Sequence, residues 1–118
     1  RSKIIMITIY HNPRCTKSRE ALEIVSQKHD DFEVVLYLKN PLNERQLENL
    51  VYLLNIEAKD LVRKNEMEWK DNYKDKQLSQ KEIIIAIAKH PKLMERPIVK
   101  NNKKAVIARP PQKVLEII

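Results

Sequence analysis

One stretch of the sequence organises the rest of the chain: Ile7-Thr8-Ile9-Tyr10-His11-Asn12-Pro13-Arg14-Cys15-Thr16-Lys17-Ser18-Arg19. An alternating apolar segment runs into a turn that contains Pro13, and a helical pattern follows the turn. Cys15 is the only cysteine and lies where that helix should begin. Backbone N–H groups at a helix N-terminus lower the pKa of a thiol and also bind anions. The stretch therefore predicts a reactive cysteine that meets an anion, although a lone cysteine is more often a buried, inert side chain.

The pattern around this stretch predicts a β-α-β unit. Residues 4–10, rich in Ile, predict a strand, and the apolar spacing after Thr16 predicts a helix to about His29. Glu33 to Leu38 is mostly apolar and predicts a second strand, central in its sheet. A strand, a helix and a strand in this order should form a parallel, right-handed unit.

The middle of the chain is predicted to be helical. Asn43 with Gln46, and Ser79 with Glu82, are spaced as capping boxes, and each pair precedes apolar residues at helical spacing. Residues 58–64 predict a further short helix between these two. In a chain without glycine, turns that need a positive φ should use Asn or Asp.

The last third predicts two strands and a final helix. Residues 96–100 and 104–107 read as short strands joined by Asn101-Asn102-Lys103, where Asn is the residue expected in a hairpin without glycine. Arg109-Pro110-Pro111 then opens a helix, because proline suits the first helical turn. We therefore predict an α/β fold, organised as one domain over residues 1–118.

Composition limits the chemistry and the setting. A single cysteine cannot form a disulfide within this chain, so any redox reaction of Cys15 needs a thiol from another molecule. Small secreted domains usually carry several cysteines, which favours a cytoplasmic location. We expect no membrane span, because no apolar run approaches about 20 residues. We also expect no signal peptide, because the opening residues show neither an extended apolar core nor a small-residue cleavage site. The absence of glycine argues against Walker and dinucleotide-binding loops.

Positive charge is concentrated at both ends of the chain. The formal net charge is +7; residues 1–19 hold five Lys and Arg and no acid, and residues 90–118 hold seven against two acids. A basic chain can bind nucleic acid, but dense basic runs are missing and aromatic side chains are few. Two basic ends that fold together predict a small-anion site instead.

Arginines are the other candidates for such a site, because guanidinium groups fit tetrahedral oxyanions. Arg96 and Arg109 each precede a proline and so stand at junctions between elements. Arg63, on a predicted helix, is a weaker candidate. Solvated arginines beside turns are the plainer interpretation of Arg96 and Arg109. His11 could orient the loop, assist proton transfer or merely cap the strand end.

Three segments of the sequence are distinctive together: His-Asn-Pro-Arg-Cys-Thr-Lys-Ser-Arg at 11–19, Arg96-Pro97-Ile98-Val99 and Arg109-Pro110-Pro111. With these segments the chain resembles the glutaredoxin-dependent arsenate reductase family, especially its short arsenate-reductase-like bacterial members. The resemblance covers nearly the whole chain from Met6, and the segments occur in the expected order. It implies a thioredoxin-like (glutaredoxin-like) fold with a mixed four-stranded sheet, a helical insertion between β-α-β and β-β-α, and a cis bond before Pro97.

The resemblance also implies an activity, the reduction of arsenate to arsenite in arsenic detoxification. Cys15 would attack arsenate and form a thioarsenate, glutathione would act as co-substrate, and glutaredoxin would resolve the mixed disulfide. No bound cofactor or metal and no nucleic-acid or membrane partner is expected. By this resemblance the nucleophile is Cys15, its assistants are His11 and Ser18, and the substrate-binding residues are Arg96, Arg109, Arg63 and Arg14.

Two other functions stay open. Related thioredoxin-fold proteins are redox-sensing transcription regulators that bind RNA polymerase, and they commonly carry Cys-x-x-Cys, where this chain has Ser18 in place of the second cysteine. A glutathione-linked thiol transferase acting on protein mixed disulfides is the third possibility. Arg14 and Thr16-Lys17 also depart from the family pattern, in which Gly-Thr follows the cysteine.

Overall fold

The computed structural model of the chain describes residues 6–118, so the predicted start of the first strand at residues 4 and 5 lies outside it. The chain forms two compact units, one made by the residues up to Tyr37 together with Arg96–Ile118, the other by Leu38–Glu95. The organisation as one domain over residues 1–118 stays a prediction. None of the helices over residues 6–118 combines the length and the hydrophobicity that crossing a bilayer requires.

The first unit is built on a four-stranded mixed sheet. Its strands are β1 (Thr8–Tyr10), β2 (Glu33–Val35), β3 (Ile98–Lys100) and β4 (Ala105–Ile107), in the order β2-β1-β3-β4. β1 is parallel to β2 and antiparallel to β3, and β3 and β4 form an antiparallel hairpin. The predicted mixed sheet and the parallel pairing of the β-α-β unit are therefore confirmed.

The prediction that the second strand is central was wrong. β2 is the edge strand, because the free side of β1 pairs with β3 from the far end of the chain. β2 also ends at Val35, where the chain turns and buries Tyr37. The apolar run that predicted a buried strand therefore reflects the burial of Tyr37 in a turn as well as strand pairing.

The helix α1 (Thr16–Lys28) covers the sheet, as predicted. Its buried residues Ala21 and Val25 join Ile7, Ile9 and Val99 in one hydrophobic cluster. The last helix spans Pro111–Glu116 and packs against α1, but it is a 3-10 helix. Pro111 lacks the N–H donor, and the N–H groups of Lys113 and Ile117 donate to the carbonyl oxygens three residues earlier, of Pro110 and Val114, each at 3.0 Å.

The hairpin between β3 and β4 uses Asn101 as expected, but for a different reason. Its side-chain oxygen accepts hydrogen bonds from the N–H groups of Lys103 and Lys104, at 2.7 and 2.8 Å. Among residues 6–118 only Asn55 has a positive φ, of 58°. Asn101 therefore closes the turn with its side chain and without a left-handed backbone.

The second unit is helical and contains both predicted capping boxes. Asn43 and Gln46 cap α2, and Ser79 and Glu82 cap α4, with reciprocal side-chain and backbone hydrogen bonds in each. The predicted helix at 58–64 is a shorter 3-10 helix, because Val62 is extended and pairs with Met94. The helices are α2 (Glu44–Leu54), α3 (Met67–Asn72) and α4 (Gln80–Lys89), with 3-10 helices at Ala58–Leu61 and Pro91–Leu93.

Candidate active site

Cys15 is the N-cap residue of α1, as the sequence predicted. Its backbone N–H donates to the carbonyl oxygen of Asn12 at 3.0 Å, which closes the turn after β1. Its own carbonyl accepts the first helical hydrogen bond from the N–H of Arg19, also at 3.0 Å. The thiol is free and half-buried. Cys15 therefore sits at the positive end of the helix and is still open to solvent.

The surroundings of Cys15 lower the pKa of its thiol. Burial alone raises that pKa, because it disfavours the charged form. The backbone N–H of Ser18 and the guanidinium group of Arg96 lower it. The backbone N–H of Lys17 and the charge of Arg109 add smaller contributions in the same direction. Together they outweigh burial, so the thiolate is more populated at neutral pH than in an ordinary cysteine.

The hydroxyl group of Ser18 hydrogen-bonds with His11. The Ser18 oxygen lies 2.6 Å from Nδ1 of His11 and accepts the N–H of Asn12 at 3.0 Å. Ser18 is fully buried, and His11 is 6% exposed. Ser18 was expected to assist the thiolate. In the structure its backbone N–H lowers the pKa of the Cys15 thiol, while its hydroxyl connects α1 to the end of β1.

His11 is an uncharged partner at neutral pH. Burial lowers the pKa of its imidazole, and the nearby charge of Arg19 lowers it further. A neutral imidazole does not stabilise a thiolate by charge. The contact with Ser18 shows that His11 holds the N-terminal turn of α1, which fits the loop-orienting interpretation; a part in proton transfer stays a prediction.

Arg96 and Arg109 come together beside Cys15. Each precedes a cis proline; the cis bond at Arg96-Pro97 was expected, and the one at Arg109-Pro110 was not. Nη1 of Arg109 donates to the backbone oxygen of Arg96 at 3.0 Å, which links the two junctions. Both guanidinium groups act on the Cys15 thiol. This arrangement can bind an anion next to the sulfur.

Arg63 belongs to the second unit and lies in a loop, so its placement on a helix was wrong. The extended backbone at Val62 ends the preceding 3-10 helix. The guanidinium group of Arg63 pairs with Glu66, with Nη2 and Oε2 3.2 Å apart, and lies 3.4 Å from the backbone oxygen of Lys92. A part for Arg63 in substrate binding stays a prediction.

Arg14 and Lys17 are exposed next to Cys15. The backbone N–H of Arg14 donates to Oδ1 of Asn12 at 3.0 Å, so Arg14 is part of the turn before the cysteine. This contact uses only the backbone of Arg14 and does not depend on where its guanidinium group lies. Its part in substrate binding stays a prediction.

Two residues of the site were not selected from the sequence. Asn12 uses its N–H, its carbonyl and its side chain to bind Ser18, Cys15 and Arg14. Arg19 donates to the carbonyl oxygen of Pro13 at 2.8 Å. The Asn-Pro dipeptide is a turn signal that points to Asn12, whereas an arginine in the first turn of a helix gives no comparable signal.

Over residues 6–118 the His, Cys, Asp and Glu side chains form no group of three or more that could hold a metal ion. Cys15 supplies a thiol with a lowered pKa, and Arg96 and Arg109 supply the positive charge near it.

The sheet order, the helix after β1 with a cysteine at its N-terminus and the cis proline before β3 define a thioredoxin-like fold. Residues 10–117 match the ArsC family. The chain belongs to this family.

Similar proteins extend along almost the whole chain. It is 46% identical to an uncharacterized protein, YfgD of Escherichia coli strain K12, over 95% of this chain and 96% of that protein. It is 40% identical to an arsenate reductase of Haemophilus influenzae, over 95% of this chain and 98% of that one. A solved arsenate reductase from Vibrio cholerae is 39% identical and superposes with a TM-score of 0.92 over 98% of this chain and 100% of that chain.

Proposed function

We propose that this protein is an oxidoreductase that reduces arsenate to arsenite, with Cys15 as the nucleophile. The observation that carries the proposal is the half-buried Cys15 thiol with its lowered pKa, placed beside Arg96 and Arg109. A tetrahedral oxyanion bound by these arginines would bring its central atom to the sulfur. Similar proteins that are named arsenate reductases support arsenate as that oxyanion.

The first step forms a bond between sulfur and arsenic. The Cys15 thiolate attacks arsenic, an As–S bond forms, and an As–O bond breaks as the oxygen leaves with protons as water. Arsenic stays at oxidation state V in this thioarsenate. The N–H groups of Ser18 and Lys17 favour the attacking thiolate, and the charges of Arg96 and Arg109 favour the bound oxyanion.

The second step transfers two electrons. The thiolate of glutathione attacks the Cys15 sulfur, an S–S bond forms, and the S–As bond breaks with its electron pair left on arsenic. Arsenite, with arsenic at oxidation state III, then leaves. Each of the two sulfur atoms has been oxidised by one electron, to the disulfide level.

An external thiol is required to restore Cys15, because the chain has no other cysteine. We propose glutaredoxin for this step: its thiolate attacks the glutathione sulfur, releases the Cys15 thiolate and becomes glutathionylated itself. No bound cofactor is needed in this scheme, in which glutathione is a co-substrate. Such a relay belongs in the cytoplasm, where glutathione is kept reduced.

A coupled assay tests this function. The protein is incubated with arsenate, glutathione, glutaredoxin, glutathione reductase and NADPH, and Cys15→Ser is the matched control. We expect NADPH consumption that depends on arsenate and on Cys15. Cys15-dependent consumption with a glutathionylated protein in place of arsenate, and none with arsenate, would overturn the proposal in favour of a thiol transferase. Retention of the RNA polymerase α subunit by an inactive protein would favour the regulator.

A further inference from the structure

The side chain of Arg19 links a residue that precedes Cys15 to the residue that follows it. Its Nη1 donates to the carbonyl oxygen of Pro13 at 2.8 Å, and its Nη2 donates to the hydroxyl oxygen of Thr16 at 3.2 Å. Pro13 precedes the cysteine in the turn, and Thr16 is the first residue of α1. One planar guanidinium group therefore ties the turn before Cys15 to the helix after it.

The backbone of Cys15 depends on the same turn. Its N–H bonds with the carbonyl oxygen of Asn12, and its carbonyl accepts the N–H of Arg19. The sulfur lies beside the N–H groups of Ser18 and Lys17 only while the turn and the helix keep this relative position. Arg19 thus contacts the residues on both sides of Cys15, and their geometry places the thiol near the N–H groups of Ser18 and Lys17.

We propose that Arg19 is a positioning residue for Cys15, and that its two-pronged guanidinium group holds the 12–15 turn so that the sulfur stays over the N-terminus of α1. The proposal deepens the proposed function and rests on it only in taking Cys15 as the nucleophile. It does not depend on arsenate as the substrate.

The charge of Arg19 has a separate effect. It lowers the pKa of His11, in addition to the larger effect of burial. The charged side chains that lower the pKa of the Cys15 thiol, against the effect of burial, are Arg96 and Arg109. The hydrogen bonds of the Arg19 guanidinium group therefore act on the segment around Cys15, whereas its charge acts on His11. Separate variants can distinguish these two effects.

The experiment measures how the alkylation rate of Cys15 by iodoacetamide depends on pH. Arg19→Lys keeps the charge but lacks the rigid pair of donor nitrogens that contacts Pro13 and Thr16, and Arg19→Gln lacks both that pair and the charge. We expect the thiol pKa to rise in both variants by about one unit, which lowers the rate at neutral pH about tenfold. Arg45→Lys, an exposed arginine of α2, is the matched control and should leave the profile unchanged.

Titration of the His11 ring by NMR separates the two effects. Arg19→Gln should raise the pKa of His11, and Arg19→Lys should leave it near the wild-type value. An Arg19→Lys protein with the wild-type alkylation profile would overturn the proposal, because the two guanidinium contacts would then not be needed to position the sulfur.

Thr16→Val keeps the proposal testable if the Arg19 variants fail to fold. It removes one acceptor of the guanidinium group and should slow alkylation at neutral pH about threefold, as expected for one hydrogen bond. An unchanged profile in Thr16→Val would contradict the proposal. Because alkylation needs no arsenate, a protein that does not reduce arsenate leaves this result unaffected.

Discussion

The reactivity expected of Cys15 arises from atoms contributed by two distant parts of the chain. Burial raises the pKa of the thiol, and the nearby N–H groups of Ser18 and Lys17 oppose it from the same helix. Arg96 and Arg109 oppose it from residues far along the sequence, at the junctions that flank β3 and follow β4. No single element would therefore produce the site.

The arginines should differ in their effect on the thiol. Arg96→Gln and Arg109→Gln should each raise the pKa of Cys15, with the larger rise in Arg96→Gln because its charge contributes more. The pH dependence of alkylation measures both. Arg45→Gln is the control; equal profiles for all three variants would show that neither charge reaches the thiol.

Ser18 should matter for stability through its hydroxyl group. Ser18→Ala leaves the half-buried N–H of Asn12 and the buried His11 ring without this partner, and we expect a loss of about 1–3 kcal/mol in the free energy of unfolding. Urea unfolding measures the change. Ser26→Ala, which removes an exposed hydroxyl on the same helix, should cost far less, and equal losses in the two variants would contradict this assignment.

The thiolate should also make stability depend on pH. A thiol whose pKa is lower in the folded state adds stability that is complete above its unfolded value, about 8.5, and is lost as the pH falls through the lower folded value. The advantage of wild type over Cys15→Ser in free energy of unfolding should therefore grow as the pH rises toward that value. Urea unfolding under reducing conditions measures it; a constant difference would argue against a shifted thiol.

At the scale of elements, α4 depends on its capping box. The Ser79 oxygen accepts the N–H of Glu82 at 3.1 Å, and Glu82 accepts the N–H of Ser79 at 2.8 Å. Ser79→Ala should cost about 1 kcal/mol in the free energy of unfolding, measured with urea. Lys81→Ala on the same exposed turn is the control, and a cost as large as that of Ser79→Ala would show that the cap is not responsible.

Local signals predicted the elements well, because they act within a few residues. The capping boxes at Asn43 and Ser79 and the helix that begins after Cys15 depend on neighbours in sequence, and all are present. The edge position of β2 and the extended backbone of Val62 depend on distant partners, β3 and Met94. Hydrophobic pattern alone does not contain that information.

The candidate site was predictable in part for the same reason. The environment of Cys15 at the start of α1 follows from the adjacent sequence, and Arg96 and Arg109 could be selected from their Arg-Pro junctions. The contact of the Ser18 hydroxyl with His11 was not predicted, because the two residues become neighbours only when the turn folds. The contacts of Arg19 with Pro13 and Thr16 likewise exist only in the folded turn.

At the scale of the whole molecule, two features of the composition bear on the chemistry of the site: the single cysteine and the formal net charge of +7. In the proposed reaction the single thiol needs a thiol from another molecule, because this chain has no second cysteine. Among the described residues, Arg96 and Arg109 from the C-terminal part of the sequence lie in the first unit together with Cys15. Folding thus places two positive charges next to the thiol, which the net charge of the sequence alone does not predict.

The most direct test of the central claim, a thiolate beside an oxyanion site, is the pH profile of Cys15 alkylation with and without arsenate. We predict a thiol pKa below the ordinary value of about 8.5 and slower alkylation when arsenate occupies the site beside Arg96 and Arg109. A pKa at or above that value, together with a rate that arsenate does not change, would contradict the account.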